Sequence, residues 1–146
     1  MKSSATPAGT VLGFDYGTQK IGVAIGETSV GVAHPLATID VRASRERFAA
    51  IGSLVEEWRP VLFVVGLPMH ADGKAHAMTA RALRFARELE ERFGRPVVCS
   101  DERFTTQVAT QKLLSTGARA RKRKAVRDQV AAQLILQDYL DRRSAA

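Results

Sequence analysis

A short apolar run that closes on a carboxylate constrains this chain more than any other stretch. It reads Val11-Leu12-Gly13-Phe14-Asp15-Tyr16 and is followed at once by Gly17-Thr18. A run of this length with turn residues behind it predicts a buried strand over about residues 11–16. Burying a carboxylate at the end of such a strand is costly unless a turn amide, a cation or a metal ion compensates it. Asp15 therefore reads in two ways. It is the cap of the turn at Gly17-Thr18, or it is a metal ligand that other carboxylates fold back to meet.

The pattern downstream says which fold could bring them back. Ile21, Val23 and Ile25 alternate with Gly22, Ala24 and Gly26. That period of two, with small residues on one side, predicts a strand closely overlaid by another element. Gly31 to Val41 predicts a third strand, which Pro35 pushes toward an edge or a bulge, completing an antiparallel meander. Ser44 caps a helix predicted to about Arg59, with Phe48, Ile51, Val55 and Trp58 as its stripe and Pro60 as its stop. Val61-Leu62-Phe63-Val64-Val65 is continuously apolar, as expected of a strand covered on both faces. Gly66-Leu67-Pro68 opens a loop through Asp72-Gly73-Lys74. A second helix is predicted from there to about Phe93, with Ala82, Ala86, Leu89 and Phe93 as its stripe and Gly94 ending it.

Pro96-Val97-Val98-Cys99 predicts a fifth strand, running into Asp101-Glu102-Arg103. Thr105 or Thr106 caps a third predicted helix to about Thr116, and Gly117 with a basic segment connects it to a last helix over about 125–141. The order β-β-β-α-β-α-β-α-α predicts an α/β domain. Its sheet is mixed and five-stranded, with the antiparallel meander followed by two parallel strands and helices packed on it. One domain over 10–141 is expected, with flexible tails at 1–9 and 142–146.

Composition narrows the function classes. The single cysteine, Cys99, excludes a disulfide framework and suits a reducing, cytoplasmic setting, with a packed core thiol as the expected role. No stretch is apolar enough to span a membrane, and the N-terminus has no apolar core of a signal peptide. The net charge of +7 is unevenly placed. Arg119, Arg121, Lys122, Arg123, Lys124 and Arg127 crowd together with no acid among them, and the rest of the chain is close to balance. Such a cluster is either a contact for a phosphate backbone or a solvated loop of like charges.

Most of the acids fall on solvent faces of predicted helices. Three positions stand apart: Asp15, the pair Asp101-Glu102 after the fifth strand, and Asp128. The last shares a stripe with Ala131, Ala132, Ile135 and Tyr139, so it faces the sheet, whereas Asp141 falls on the opposite side. Each has an ordinary structural reading: a turn cap, a pairing with Arg103, a helix-dipole or Arg127 partner. Together, three carboxylates at the ends of core elements of an open α/β sheet predict a shared oxygen-ligand site. Hard oxygen donors suit Mg²⁺ or Mn²⁺ rather than zinc, and two such ions could clamp a phosphodiester displacement. His34, His70 and His76 lack metal-ligand spacing and read as loop or surface residues. No P-loop or G-x-G-x-x-G occurs.

Phe14-Asp15-Tyr16-Gly17-Thr18, Ile21-Gly22-Val23-Ala24-Ile25-Gly26, Val65-Gly66-Leu67-Pro68, Asp72-Gly73, Asp101-Glu102-Arg103-Phe104-Thr105-Thr106 and Asp128-Gln129-Val130-Ala131-Ala132 resemble the YqgF, or RuvX-like, family. The motifs keep the family's order over about Gly9 to Leu140. The family is described both as resolvases of Holliday junctions and as nucleases maturing precursor 16S ribosomal RNA. The resemblance implies an RNase H-like fold. It places catalytic, metal-holding acids at Asp15, Glu102 and Asp128, with Asp101 a substitute for Glu102. It also implies an active-site loop region at Gly17, Thr18, Gly66 and Pro68. His70 stands where the family more often has Asn, and Gln129 where a small hydroxyl residue is common.

The expected function is an Mg²⁺- or Mn²⁺-dependent endonuclease, processing the 5′ end of precursor 16S ribosomal RNA. Its basic cluster would grip structured RNA or branched DNA. The alternatives are a Holliday junction resolvase-like DNA nuclease and a non-catalytic ribosome-assembly factor that binds nucleic acid. The expected partners are nucleic acid and a pre-ribosomal particle. The chain acts as a monomer or a homodimer, a four-way junction favouring the two-fold dimer. A phosphate loop of the actin and sugar-kinase type ranks last, because those folds need two such domains.

Overall fold

Alternation and helical periodicity resolve into five strands and three helices among the residues the computed structural model describes: 7–17, 19–40, 44–68, 77–101 and 120–145, with 44, 120–127 and 145 described by backbone alone. In chain order these are β1 (Thr10–Tyr16), β2 (Lys20–Glu27), β3 (Ala33–Asp40), α1 (Ser44–Trp58), β4 (Leu62–Leu67), α2 (Ala77–Phe93), β5 (Val97–Asp101) and α3 (Ala120–Ala145). The sheet order is β3-β2-β1-β4-β5. β1–β2 and β2–β3 pair antiparallel, while β1–β4 and β4–β5 pair parallel, as a meander followed by crossovers requires. The helix predicted over 105–116 lies outside the described residues.

Each face of the sheet carries its own core. Leu12, Phe14, Ile21, Val23, Phe63 and Val65 pack against Phe48, Ile51 and Val55 of α1 and Phe85, Ala86 and Leu89 of α2. Phe14 is fully buried and meets Phe63 and Phe85 edge-on, at centroid distances of 5.7 and 5.6 Å. Burying one such side chain stabilises the fold by roughly 1.5–3 kcal/mol. On the other face Val11, Ala24, Leu62 and Val64 meet Ala132, Ile135, Leu136 and Leu140 of α3. The small residues of β1 and β2 lie under this helix: a Cβ on Gly13 would come within 2.8 Å of Leu136 Cβ, and one on Gly26 within 3.0 Å of a Leu140 methyl.

β3 is an edge strand, and its pairing with β2 shifts register between Val23 and Ala24, so Pro35 has both the edge and the irregularity expected of it. Several boundaries differ from expectation. α1 ends at Trp58, which is 39% exposed and lies outside the core stripe. Arg59 then takes a left-handed φ of 48° and donates its N–H to Val55 O at 2.8 Å. Phe85 joins the buried stripe of α2, and Gly94 closes that helix at φ 65°.

The largest difference is in α3. It begins at Ala120, so the basic segment expected to be a connection is helical from there on, and residues 142–145, expected as a tail, continue the helix. Ala, Arg and Lys are good helix formers and nothing from Ala118 to Arg127 interrupts them; the charge run only resembled a loop. Cys99 is exposed on edge strand β5 rather than packed in the core, although partial burial pushes its thiol up from the ordinary value. No helix among the described residues is long and apolar enough to cross a membrane.

Candidate functional site

The carboxyl end of the parallel strands is where an open α/β sheet leaves a crevice for ligands. One register level there contains a residue from every strand. Asp15 of β1 pairs with Gly22 of β2 on one side and Gly66 of β4 on the other; Gly22 pairs with Thr38 of β3, and Gly66 with Ser100 of β5. Val11 and Gly13 face α3, so strand alternation turns Asp15 to the same face. Glycines flank it on both sides, which leaves the carboxylate's neighbours in the sheet without side chains.

α3 brings the second acid to this level. Its backbone comes so close to β2 that a Cβ on Gly22 would sit 1.9 Å from the carbonyl oxygen of Asp128 and 3.0 Å from its Cα. Any side chain at residue 22 would displace the helix. The next residue fixes the rotation: Gln129 Nε2 donates to Thr38 Oγ1 at 3.0 Å. Asp128 is thus the ninth residue of α3, well inside the helix, so a first-turn dipole role does not explain it. Asp15 and Asp128 are both half-buried.

The other expected site residues divide. Gly66 lies in the row beside Asp15. Gly17 serves the β1–β2 turn, where a Cβ would come within 2.6 Å of the Lys20 carbonyl oxygen. Pro68 leaves β4 and its carbonyl accepts the hydroxyl of the buried Thr79, tying the strand's exit to α2. Asp101 is exposed at the end of β5, and alternation from Ser100 gives it the α1/α2 face, away from Asp15. Glu102, Thr18, Arg119, His70 and His76 lie outside the described residues. Arg121, Lys122, Arg123, Lys124 and Arg127 fall in the opening turns of α3, ahead of Asp128.

Reading the sequence missed Thr38, Ser100 and Gln129 as members or fasteners of this row. The spacing of Gln129, Gln133 and Gln137, four residues apart beside the apolar stripe, was the available signal. Among the described residues no three His, Cys, Asp or Glu side chains gather as a metal cluster. Asp15 and Asp128 offer carboxylate oxygens only, the donor chemistry that suits Mg²⁺ or Mn²⁺.

A protein of Methylobacillus flagellatus named "Putative pre-16S rRNA nuclease" is 54% identical over 138 residues, covering 94% of each chain. One of the same name from Neisseria gonorrhoeae is 49% identical over 135 residues, covering 92% of this chain and 89% of its own. In fold, the chain is similar to Thermus thermophilus RuvC in complex with a Holliday junction substrate, with a TM-score of 0.57 at 17% identity over 92% of this chain and 96% of that one. It is similar also to the fowlpox virus resolvase bound to junction DNA, with a TM-score of 0.56 at 10% identity over 91% of this chain and 97% of that one. Both likenesses establish the RNase H-like architecture of resolvases. The RuvX family, described as Holliday junction resolvase, matches from residue 9 to residue 142, and the chain belongs to it.

Proposed function

We propose that this protein is a divalent-metal-dependent endonuclease that hydrolyses phosphodiester bonds, with the 5′ end of precursor 16S ribosomal RNA as its natural substrate. The observation that carries the reading is that the main chain of Asp128, 113 positions from Asp15 in sequence, lies over Gly22, the β2 neighbour of Asp15 at the carboxyl end of β1. The relatives named as pre-16S rRNA nucleases, half identical over nearly the full chain, support the substrate. Asp15 and Asp128 would hold Mg²⁺ or Mn²⁺, and Glu102, next in chain to the end of β5, would be the third acid; Asp101 faces away.

When bound, the ion supplies positive charge to the phosphoryl oxygens and a more acidic water. The chain's own residues do the positioning. Gly22 and Gln129 hold Asp128 at the height of Asp15, and Gly66 leaves the space beside Asp15 free of a side chain. The basic segment at the start of α3 would bind backbone phosphates, orienting the strand over the acids. A pre-ribosomal particle in the cytoplasm is the setting this substrate requires.

Branched DNA is the second substrate class, favoured by the fold shared with junction-bound resolvases. The test is cleavage of precursor ribosomal RNA ends and of a synthetic four-way DNA junction in Mg²⁺ or Mn²⁺. Wild type would be compared with Asp15→Asn and Asp128→Asn. Each variant is expected to lose on the order of a hundredfold or more in rate while keeping its melting transition and salt-sensitive binding. Equal inactivity of all three proteins, with binding retained, would instead identify a non-catalytic assembly factor. The preferred substrate decides between RNA and DNA.

A further inference from the structure

The end of β1 has a second side. Tyr16 follows Asp15 and by alternation faces the opposite way, toward α1 and α2, where its ring lies 5.1 Å from that of Phe85. Beside it, Arg47 of α1 and Arg81, Arg84 and Glu88 of α2 line a cavity of about 330 Å³. The Arg47 side chain is only 12% exposed and approaches Glu88 at 4.0 Å. Its guanidinium lies 4.9 Å from the Phe48 ring centre and 5.9 Å from that of Phe85. Arg81 and Arg84 are exposed at the mouth.

Three guanidinium groups face one carboxylate here. A solvated helix surface normally interleaves the two signs, so an excess of two positive charges around a concave, aromatic-backed site points to an anion. Arginine forks match phosphate oxygens in pairs, and a guanidinium stacked on rings is held ready without losing further freedom. The basic lining continues away from Tyr16. Arg45 and Arg92 flank Phe48 in a neighbouring cavity, with Arg92 at 4.2 Å from the centre of the same ring.

We propose that the cavity of Tyr16, Arg47, Arg81 and Arg84 binds a backbone phosphate of a nucleic-acid strand. A strand crossing the carboxyl edge of the sheet is then held on both faces, with the bond to be cut on the Asp15 side and a neighbouring segment gripped on the α1/α2 side. The use of this grip in cleavage rests on the nuclease reading; the grip itself does not.

The experiment removes the two exposed arginines together, Arg81→Gln with Arg84→Gln, in the full chain. Affinity for labelled duplex RNA and for a four-way DNA junction is measured across a salt series in EDTA, where no turnover occurs. A charge-matched control, Arg142→Gln with Arg143→Gln, removes two positive charges from the far end of α3. Losing one phosphate contact is expected to weaken binding by about tenfold and to lower the salt slope by about 0.9. The control should change either quantity far less. The arm that shows the larger loss, RNA or DNA, names the strand the cavity holds. A pocket variant that binds with wild-type affinity and slope, or that matches the control, overturns the proposal, as does wild type that binds neither probe. Cleavage lost in Asp15→Asn but a slope unchanged in the pocket variant would refute only the pocket. The reverse pair of results would refute only the nuclease.

Discussion

Gly22 determines how far α3 can descend onto the sheet. A methyl group there would overlap the main-chain oxygen of Asp128 at 1.9 Å, and a backbone atom cannot rotate aside as a side-chain tip can. Gly22→Ala must therefore lift the helix. Such overpacking costs about 1–3 kcal/mol, and it also carries Asp128 away from Asp15. Cleavage should consequently fall further than the loss of folded protein explains, when rates are compared at a temperature where both proteins are folded. Gly52, inside α1, provides the contrast. Its missing Cβ would meet only the Phe93 ring at 3.7 Å, an ordinary contact. Gly52→Ala should raise stability by about 0.5–1 kcal/mol in denaturant melts and leave cleavage unchanged, because it removes backbone freedom from the unfolded chain.

At the scale of the element, α3 is fastened by side-chain amides as well as by its apolar stripe. Gln137 Nε2 donates to Gly31 O at 2.8 Å, and its Oε1 accepts from the Ala33 N–H at 2.9 Å. Gln133 donates to Ala33 O at 3.0 Å. These bonds tie the helix to the start of edge strand β3, where Ala33 is buried. Gln137→Ala leaves a buried N–H without its acceptor and should cost about 1–3 kcal/mol, with faster hydrogen exchange at Ala33. Gln133→Ala removes the single bond it donates to Ala33 O and should cost less. In the chain only the four-residue spacing of these glutamines beside the apolar stripe hinted at such bonds, and spacing does not name the acceptors. What alternation and spacing did carry was the meander with its two parallel strands, the small residues of β2 under another element, and Asp128 on the stripe of its helix that faces the sheet. The start of α3 was hidden because a run of like charges imitates a linker while its residues favour helix. Of the pair Asp101 and Glu102, the strand pleat gives Asp101 the face without Asp15, and Glu102 lies outside the described residues.

For the whole molecule, Asp15 and Asp128 belong to distant parts of the chain, so a cation held between them would be a crosslink that only the folded state can offer. A ligand that binds the native state alone stabilises it by RT ln(1 + [L]/Kd), about 1.4 kcal/mol at ten times Kd. For a chain of 146 residues this corresponds to a rise in melting temperature of roughly 3–6 °C. Mg²⁺ or Mn²⁺ should therefore raise the transition of the wild type, saturably and reversibly with EDTA. Asp15→Asn and Asp128→Asn should each lose most of that rise, because neither keeps both oxygen donors. The Arg81→Gln, Arg84→Gln protein should keep all of it, since its cavity lies on the other face of the sheet. Differential scanning in a metal series would read all four proteins without any substrate. An equal rise in wild type and in Asp15→Asn would mean that the cation binds elsewhere, and the acids at the end of β1 and within α3 would then be holding the fold rather than a metal.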